Sequence, residues 1–260
     1  MLNALYSAAT GMEAQQLRIS VISNNLANMS TSGFKQSRAV FQDLIYQTQQ
    51  QAGATTTAGE QLPSGIQVGT GVKVVSTPVV FSQGIMEQTA RDLDIAIEGD
   101  GFLGVSANGQ TAYTRAGSLS VSATGSLVTQ QGYELNPPVS GLAGVSGLTI
   151  TSDGAVNGIT PGQTTATTLG NLSLSTFANP SGLSAKGSNL FMETAASGTP
   201  TSNTPGQSGA GTIRQGFLES SNVNIADELI KMILAQRSFE MNSKVVKTAD
   251  EMMGSMNQLR

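Results

Sequence analysis

Few residue types here can do chemistry. The 260-residue chain contains no His, no Cys and no Trp. A Ser-His-Asp triad, a Cys nucleophile, a zinc finger, a His-ligated haem and a disulfide are all excluded. One stretch has the spacing of a nucleotide site. Gly99-Asp100-Gly101-Phe102-Leu103-Gly104 is a literal GxGxxG, and apolar Ile95-Ala96-Ile97 precedes it. A dinucleotide site needs a helix to start at those glycines and an acid ~20 residues on. Here Val105-Ser106-Ala107-Asn108-Gly109 follows, a strand fragment running into a turn, and residues 121–129 hold no Asp or Glu. The stretch is expected to be a glycine-rich β turn. Asp92, Asp94, Glu98 and Asp100 are separated by even numbers, so one alternating strand would line them on one face. Carboxylates so placed could exchange protons or hold a hard cation, but EF-hand spacing is absent, and a solvated strand face is expected. Ser184–Lys186 and Ser243–Lys244 miss the S-x-x-K spacing. No catalytic, cofactor-binding or metal-binding residue is assigned, and no enzyme is expected.

Charge narrows the partners. The formal net charge is −4 and only 12% of residues are charged, about half the usual share. That supplies no basic footprint for nucleic acid. No run of ~18 apolar residues could cross a membrane as a helix. The first basic residue is Arg18, so the start lacks the basic and apolar regions of a secretory signal, and export without a cleaved signal is expected if the chain leaves the cytoplasm.

Two apolar stripes predict the elements that frame everything else. Leu5, Met12, Ile19 and Leu26 are spaced by seven, and Ala8, Gln15, Ile22 and Met29 follow three residues later. This heptad pattern predicts an N-terminal helix, stopped near Gly33. At the other end Ile225, Met232, Phe239, Val246 and Met253 share one heptad position, and Ala235, Asn242, Ala249 and Met256 the other. Asn224 is placed to cap that helix, with Asp227 at its third position. Asp227–Lys231 and Glu240–Lys244 are expected i,i+4 ion pairs. The candidate assembly seams are therefore Leu5, Met12, Ile19, Ile22 and Leu26, and Ile225, Met232, Phe239, Val246, Met253 and Met256. The segment between is not helical in pattern, so the two ends are expected to pair with each other, with copies of themselves, or both.

That middle reads as antiparallel β. Leu172–Phe177 and Leu119–Ser122 alternate apolar and polar, and Asn108-Gly109, Thr124-Gly125, Gln131-Gly132, Asp153-Gly154 and Asn179-Pro180 mark turns. Residues 47–65 and 195–211 resemble linkers, either extended arms or, by default, disordered in the isolated chain. The expected fold class is α+β. Residues 1–33 and 222–260 form the terminal helical region. Residues 34–85 and 206–221 form an extended linking region that includes 46–72. Residues 86–205 form a β-rich outer domain.

Several ordered motifs resemble one family. Asn24-Asn25-Leu26-Ala27-Asn28 with Thr31-Ser32-Gly33-Phe34-Lys35 is similar to the N-terminal signature of bacterial flagellar rod and hook proteins. Asp92–Phe102, Tyr113-Thr114-Arg115-Ala116-Gly117-Ser118 and Gly125–Thr129 resemble its central motifs. Ser221-Asn222-Val223-Asn224, Gln236-Arg237 and Glu240–Lys244 resemble its C-terminal signature. Leu62-Pro63-Ser64-Gly65-Ile66-Gln67-Val68-Gly69-Thr70-Gly71-Val72 is similar to a segment of distal-rod members, and marks Leu62, Pro63, Gly65, Gly69 and Gly71 as rod-specific. The resemblance implies terminal helices paired as a coiled coil. It also implies a helical homopolymer that forms a hollow, rigid drive shaft for torque and for exported subunits. Implied partners are copies of the chain, proximal rod proteins, hook protein, a rod cap, the L and P rings and the flagellar type III export apparatus. The implied location is the basal body, in the periplasm and crossing toward the outer membrane. A proximal rod or hook protein is the nearest alternative reading. A secreted β-domain binding protein is the alternative from another class.

Overall fold

The structure, a computed structural model, describes residues 2–53, 63–107, 109–160, 163 and 165–258, without the side chains of residues 2 and 256–258. It divides into two compact units. A helical unit comprises Met1–Leu26, Ser37–Pro78 and Asn224–Arg260, and a β unit comprises Ala27–Gln36 and Val79–Val223. The fold class is α+β, with a helix toward each end and antiparallel β structure between.

In the helical unit, α1 spans Leu2–Ala27 and α2 spans Ile225–Gln258. Both are free of Pro and rich in good helix formers. At 1.5 Å per residue α2 is roughly 50 Å long. Asn224 caps it as expected: its Oδ1 accepts the Ala226 N–H at 3.0 Å. The expected side-chain ion pairs are replaced by others. Lys231 pairs with Glu228 at 2.6 Å and Arg237 with Glu240 at 2.9 Å. Glu228 is buried and Asp227 exposed, so Glu228 gains more from the nearby ammonium. Contacts between α1 and α2 show their relative direction. Asn25 Nδ2 donates to Glu228 Oε2 at 3.2 Å, and a Cβ on Gly11 would lie 2.8 Å from Asn242 Nδ2. Partner numbers fall as α1 numbers rise, so the helices run antiparallel. No helix among the described residues is long and apolar enough to cross a membrane.

A two-stranded arm completes this unit. Strands β1 (Val40–Asp43) and β2 (Tyr46–Gln50) return as β3 (Ile66–Gly69) and β4 (Val72–Ser76). β1 pairs with β4 and β2 with β3, both antiparallel. The linker-like composition of 47–65 therefore hides the end of a strand. Residues 54–62 lie outside the described residues. The arm touches α1: Asn3 Nδ2 donates to Gln47 Oε1 at 2.8 Å. Gly71, at φ +125°, has no room for a side chain, because a Cβ would collide with Thr10 Oγ1.

The β unit contains β5 (Met86–Gln88), β6 (Ile95–Glu98), β7 (Phe102–Ala107), β8 (Gln110–Thr114), β9 (Leu119–Val121), β10 (Leu127–Thr129), β11 (Glu134–Asn136) and β12 (Ser146–Ile150). It continues with β13 (Ala155–Ile159), β14 (Thr167–Asn171), β15 (Leu174–Thr176), β16 (Ser184–Gly187), β17 (Leu190–Met192), β18 (Thr201–Asn203), β19 (Thr212–Gln215) and β20 (Phe217–Glu219). The largest sheet runs β16-β17-β8-β7-β11-β10-β9, and β15 joins β7 to β18. β12-β13-β14 form a second sheet, while β19 pairs with β6 and β20 with β5. All these pairings are antiparallel. The main core includes Ile95, Ile97, Leu103, Leu127, Val156 and Leu174. An aromatic cluster of Phe102, Tyr113 and Phe191, with Phe81 and Phe177 against it, packs edge to face.

Three expectations are corrected in this unit. The four acids do not share a face. β6 begins only at Ile95, because residues 91–94 form a turn with Asp94 N–H donating to Arg91 O at 3.2 Å. Asp94 is buried, whereas Asp92, Glu98 and Asp100 are exposed, and Glu98 pairs with Arg214 at 2.9 Å. Residues 195–211 are ordered rather than disordered: Ser197 is fully buried in its own turn, β18 joins the large sheet and Ala210 enters the core. α1 stops at Ala27, well before Gly33, so Gly33 is not the helix stop. The GxGxxG stretch is the expected turn, leading from β6 into β7.

Candidate functional site

The resemblance motifs are far apart in sequence, yet three of them meet inside the β unit. Lys35 Nζ donates to Glu219 Oε1 at 2.6 Å and to the Ser82 carbonyl at 2.7 Å. Arg115 Nη1 reaches Glu219 Oε2 at 3.4 Å, and Nη2 donates to the Gly99 carbonyl at 2.7 Å. The Gly84 N–H donates to Glu219 Oε1 at 2.9 Å, and the Arg115 guanidinium lies 5.5 Å from the Phe102 ring centroid. All three ionic side chains are at most 2% exposed.

Local sequence makes the meeting possible. Gly33 adopts φ +73° and lies against the backbone of Ala116, where a Cβ would come within 2.7 Å of the Ala116 nitrogen. Its N–H donates to the Glu219 carbonyl at 2.8 Å. That close approach lets the Thr31–Lys35 stretch lie against the segment carrying Arg115.

Electrostatically the cluster is unbalanced. Two cations face one carboxylate, and Arg115 Nε has no hydrogen-bond partner. Burial lowers the Lys35 pKa below its ordinary 10.5; the hydrogen bond and charge of Glu219 oppose this, and Arg115 adds to it. Such a cluster confers specific geometry more than stability, but removing one member strands a buried charge. Among the described residues no group of three or more Asp or Glu side chains converges to hold a metal.

The helical unit carries the other candidate residues. In α1, Ile22 is buried and Leu5, Met12, Ile19 and Leu26 are half-buried. In α2, Met232, Val246 and Met253 are half-buried, while Ile225 and Phe239 are exposed. The Met256 side chain lies outside the described residues. The most buried line of α2 is Glu228, Ala235 and Ala249, with Asn242 half-buried between them. Of the segment that the resemblance marks as rod-specific, Leu62 lies outside the described residues, Pro63 and Gly65 are exposed before β3, Gly69 ends β3 and Gly71 turns into β4.

Two features escaped the sequence reading. The ionic cluster was invisible because positions 35, 115 and 219 have no spacing rule. A second apolar stripe on α2 had a signal: Ile230, Leu234, Met241, Val245 and Met252 alternate steps of four and seven. At 100° per residue they lie within an arc of about 60°, roughly a quarter turn from Ala235. All five are exposed.

The motifs also match known families. Residues 5–35 match the flagella basal body rod protein family, residues 96–158 the flagellar hook protein FlgE/F/G D1 domain, and residues 214–259 the flagellar basal body rod FlgEFG protein C-terminal family. A flagellar basal-body rod protein FlgG from Buchnera aphidicola subsp. Schizaphis graminum is 47% identical over 260 residues, with the whole of both chains covered. The FlgG of Caulobacter vibrioides is 46% identical over 261 residues, again covering both chains entirely. A flagellar hook-basal body complex protein FlhP from Bacillus subtilis is 31% identical over 274 residues and the full length of both. Full-length similarity at this level leaves no segment of the chain outside the likeness, and it joins the N-terminal, central and C-terminal motifs into one protein type. The chain belongs to the flagellar basal-body rod protein FlgG family, whose members are structural components of the basal body and not enzymes.

Proposed function

We propose that the chain is a distal-rod subunit that polymerises with its own copies into a hollow, stiff drive shaft. The observation that carries this reading is the exposed stripe Ile230, Leu234, Met241, Val245 and Met252 on α2. A helix about 50 Å long with one line of Glu228, Ala235, Asn242 and Ala249 turned inward and an apolar line facing water is unfinished as a monomer. A second copy of the same helix supplies the matching surface, and repetition of a head-to-tail contact that does not close generates a helical filament. α1 and α2 pair as a coiled coil through Leu5, Met12, Ile19, Ile22 and Leu26 on one side and Ile225, Met232, Phe239, Val246, Met253 and Met256 on the other. The antiparallel contacts Gly11–Asn242 and Asn25–Glu228 agree with that pairing. The segment holding Leu62, Pro63, Gly65, Gly69 and Gly71 stiffens the polymer, and the β1–β4 arm gives it a structured base. The rod meets proximal rod proteins at one end and hook protein at the other, carries a rod cap while growing, and passes through the P and L rings in the periplasm. Its subunits leave the cell through the flagellar type III export apparatus.

Electron microscopy of basal bodies from a strain lacking the chain tests the assignment. The expected image is a rod that stops short, with no hook beyond it. A complete rod missing only its hook transfers the chain to the hook, and intact rotating flagella overturn the structural role.

A further inference from the structure

The chain crosses between its two units at four bonds: 26/27, 36/37, 78/79 and 223/224. Three of these crossings have a residue of the β unit, within two positions of the break, in one hydrogen-bonded ring. Asn222 Oδ1 accepts the Gln36 N–H at 2.8 Å. The Gln36 carbonyl accepts the Val80 N–H at 2.8 Å. Asn222 Nδ2 returns to the Val80 carbonyl at 2.9 Å and to the Ser82 carbonyl at 3.2 Å. Only an amide side chain carries both the acceptor and the two donors that this ring uses. Asp in its place would set a carboxylate against two carbonyls. One residue before Gln36 stands Lys35, bound to Ser82, and three before Asn222 stands Glu219, bound to Lys35 and Gly84.

A flexible hinge has few hydrogen bonds and an exposed backbone. These crossing points have the reverse: a closed ring backed by a buried ionic cluster. We propose that Asn222 is a positioning residue that stitches three of the β unit's chain exits into one rigid body, so that load travelling along the chain enters and leaves the β unit at fixed points. The Lys35–Glu219–Arg115 cluster holds the stitch in place. This rests on the rod reading above, because only a shaft under torque needs it.

Amide hydrogen exchange on the purified full-length chain tests the rigidity directly. The Gln36 and Val80 amides should exchange within about tenfold of the amides that pair β7 with β8. Exchange more than about a thousandfold faster than that core overturns the stitch, with no variant needed. In Asn222→Ala the Gln36 amide should speed up by about a hundredfold or more while the β7–β8 amides stay unchanged. A strain carrying only Asn222→Ala should build rods and hooks in normal number yet lose torque at stall in a tethered-bead assay. Normal rods with unchanged stall torque overturn the coupling and leave the rod assignment standing. A strain with no copy at all that still builds full rods overturns the rod assignment itself.

Discussion

The two units treat apolar surface in opposite ways. Among the described residues, the β unit exposes three large apolar side chains: Met29, Ile85 and Val121. The helical unit exposes fifteen, nine of them on α2. The β unit draws its core from strands far apart in sequence and buries one ionic cluster, Lys35 and Arg115 on Glu219. The helical unit keeps almost all its charges on the surface and has only scattered buried positions, such as Ala8, Ala14, Ile22, Ala235 and Ala249. One is complete as a monomer. The other leaves its apolar surface uncovered, and on the reading proposed above its stability depends on what arrives to cover it.

The sharpest way to break that contrast uses one residue type in both units. Glu219 and Glu228 are both buried carboxylates bonded to a lysine at 2.6 Å. Glu219→Ala strands Lys35 and Arg115, neither of which can reach water, and should destabilise the β unit by about 3–5 kcal/mol. Glu228→Ala releases Lys231, already half exposed, and leaves Asn25 its bond to the Ser37 carbonyl. It should cost only about 1–2 kcal/mol. Urea unfolding of the dilute chain measures both, and equal losses would remove the distinction.

Next in size is the apolar comparison. Leu103→Ala empties part of the β core and should cost about 2–5 kcal/mol in the monomer. Leu234→Ala should change monomer stability by no more than about 0.5 kcal/mol, yet raise the concentration needed for polymerisation. Circular dichroism of the dilute chain extends the test. With their apolar lines uncovered, α1 and α2 should contribute well below the full helical signal and gain it on assembly. Two fully formed helices in the monomer would show that the helical unit needs no partner.

Alkaline pH gives a smaller effect with a definite sign. Burial holds the Lys35 pKa in the folded chain below 10.5. Between that lowered value and 10.5 the unfolded chain binds more protons, so stability rises with pH by at most about 1.4 kcal/mol per unit. Below the lowered value both states are protonated and the penalty is constant. Tyr113 acts in the other direction: burial, aided by the Glu193 charge, raises its phenol above 10, so its contribution is lost as pH climbs past 10. Unfolding curves followed upward in pH toward 10.5 should therefore show the intact chain gaining on Lys35→Met once the lowered Lys35 pKa is passed. A parallel pair of curves would show that Lys35 does not carry the slope.

How far the sequence foretold all this also differs between the units. Both helices were legible, with the Asn224 cap, because 3.6-residue periodicity and capping are local. The turn glycines were legible too; Gly125, Gly132 and Gly154 all take positive φ. The arm was obscured because Gln and Thr in Tyr46–Gln50 resemble linker, and its partner strand begins sixteen residues later. Strand partners such as Leu174 and Leu103 were illegible because register is set by packing across long separations. The Gly33 misreading has the same origin: its positive φ serves the approach to Ala116, a contact with no local trace. The ion pairs of α2 failed because burial of Glu228, not sequence spacing, chose its partner.

The smallest effect probes how tightly the helical unit is packed. Gly inside a helix costs about 1 kcal/mol relative to Ala, so Gly11→Ala starts with that gain. Against it, the new Cβ would sit 2.8 Å from Asn242 Nδ2 and 3.5 Å from its Cγ. The nearer atom is the end of a rotatable side chain, and no backbone atom of α2 lies within the next half ångström. Turning that amide aside costs about 0.5–1.5 kcal/mol if it must leave its preferred rotamer. The net change in the dilute chain should therefore stay within about 1 kcal/mol of zero. A loss well beyond that, read by thermal melting of the helical signal, would mean that Asn242 cannot turn and α2 itself must shift. The helical unit would then be packed as closely at this point as the β unit is at its core, and its openness would be confined to the exposed face of α2.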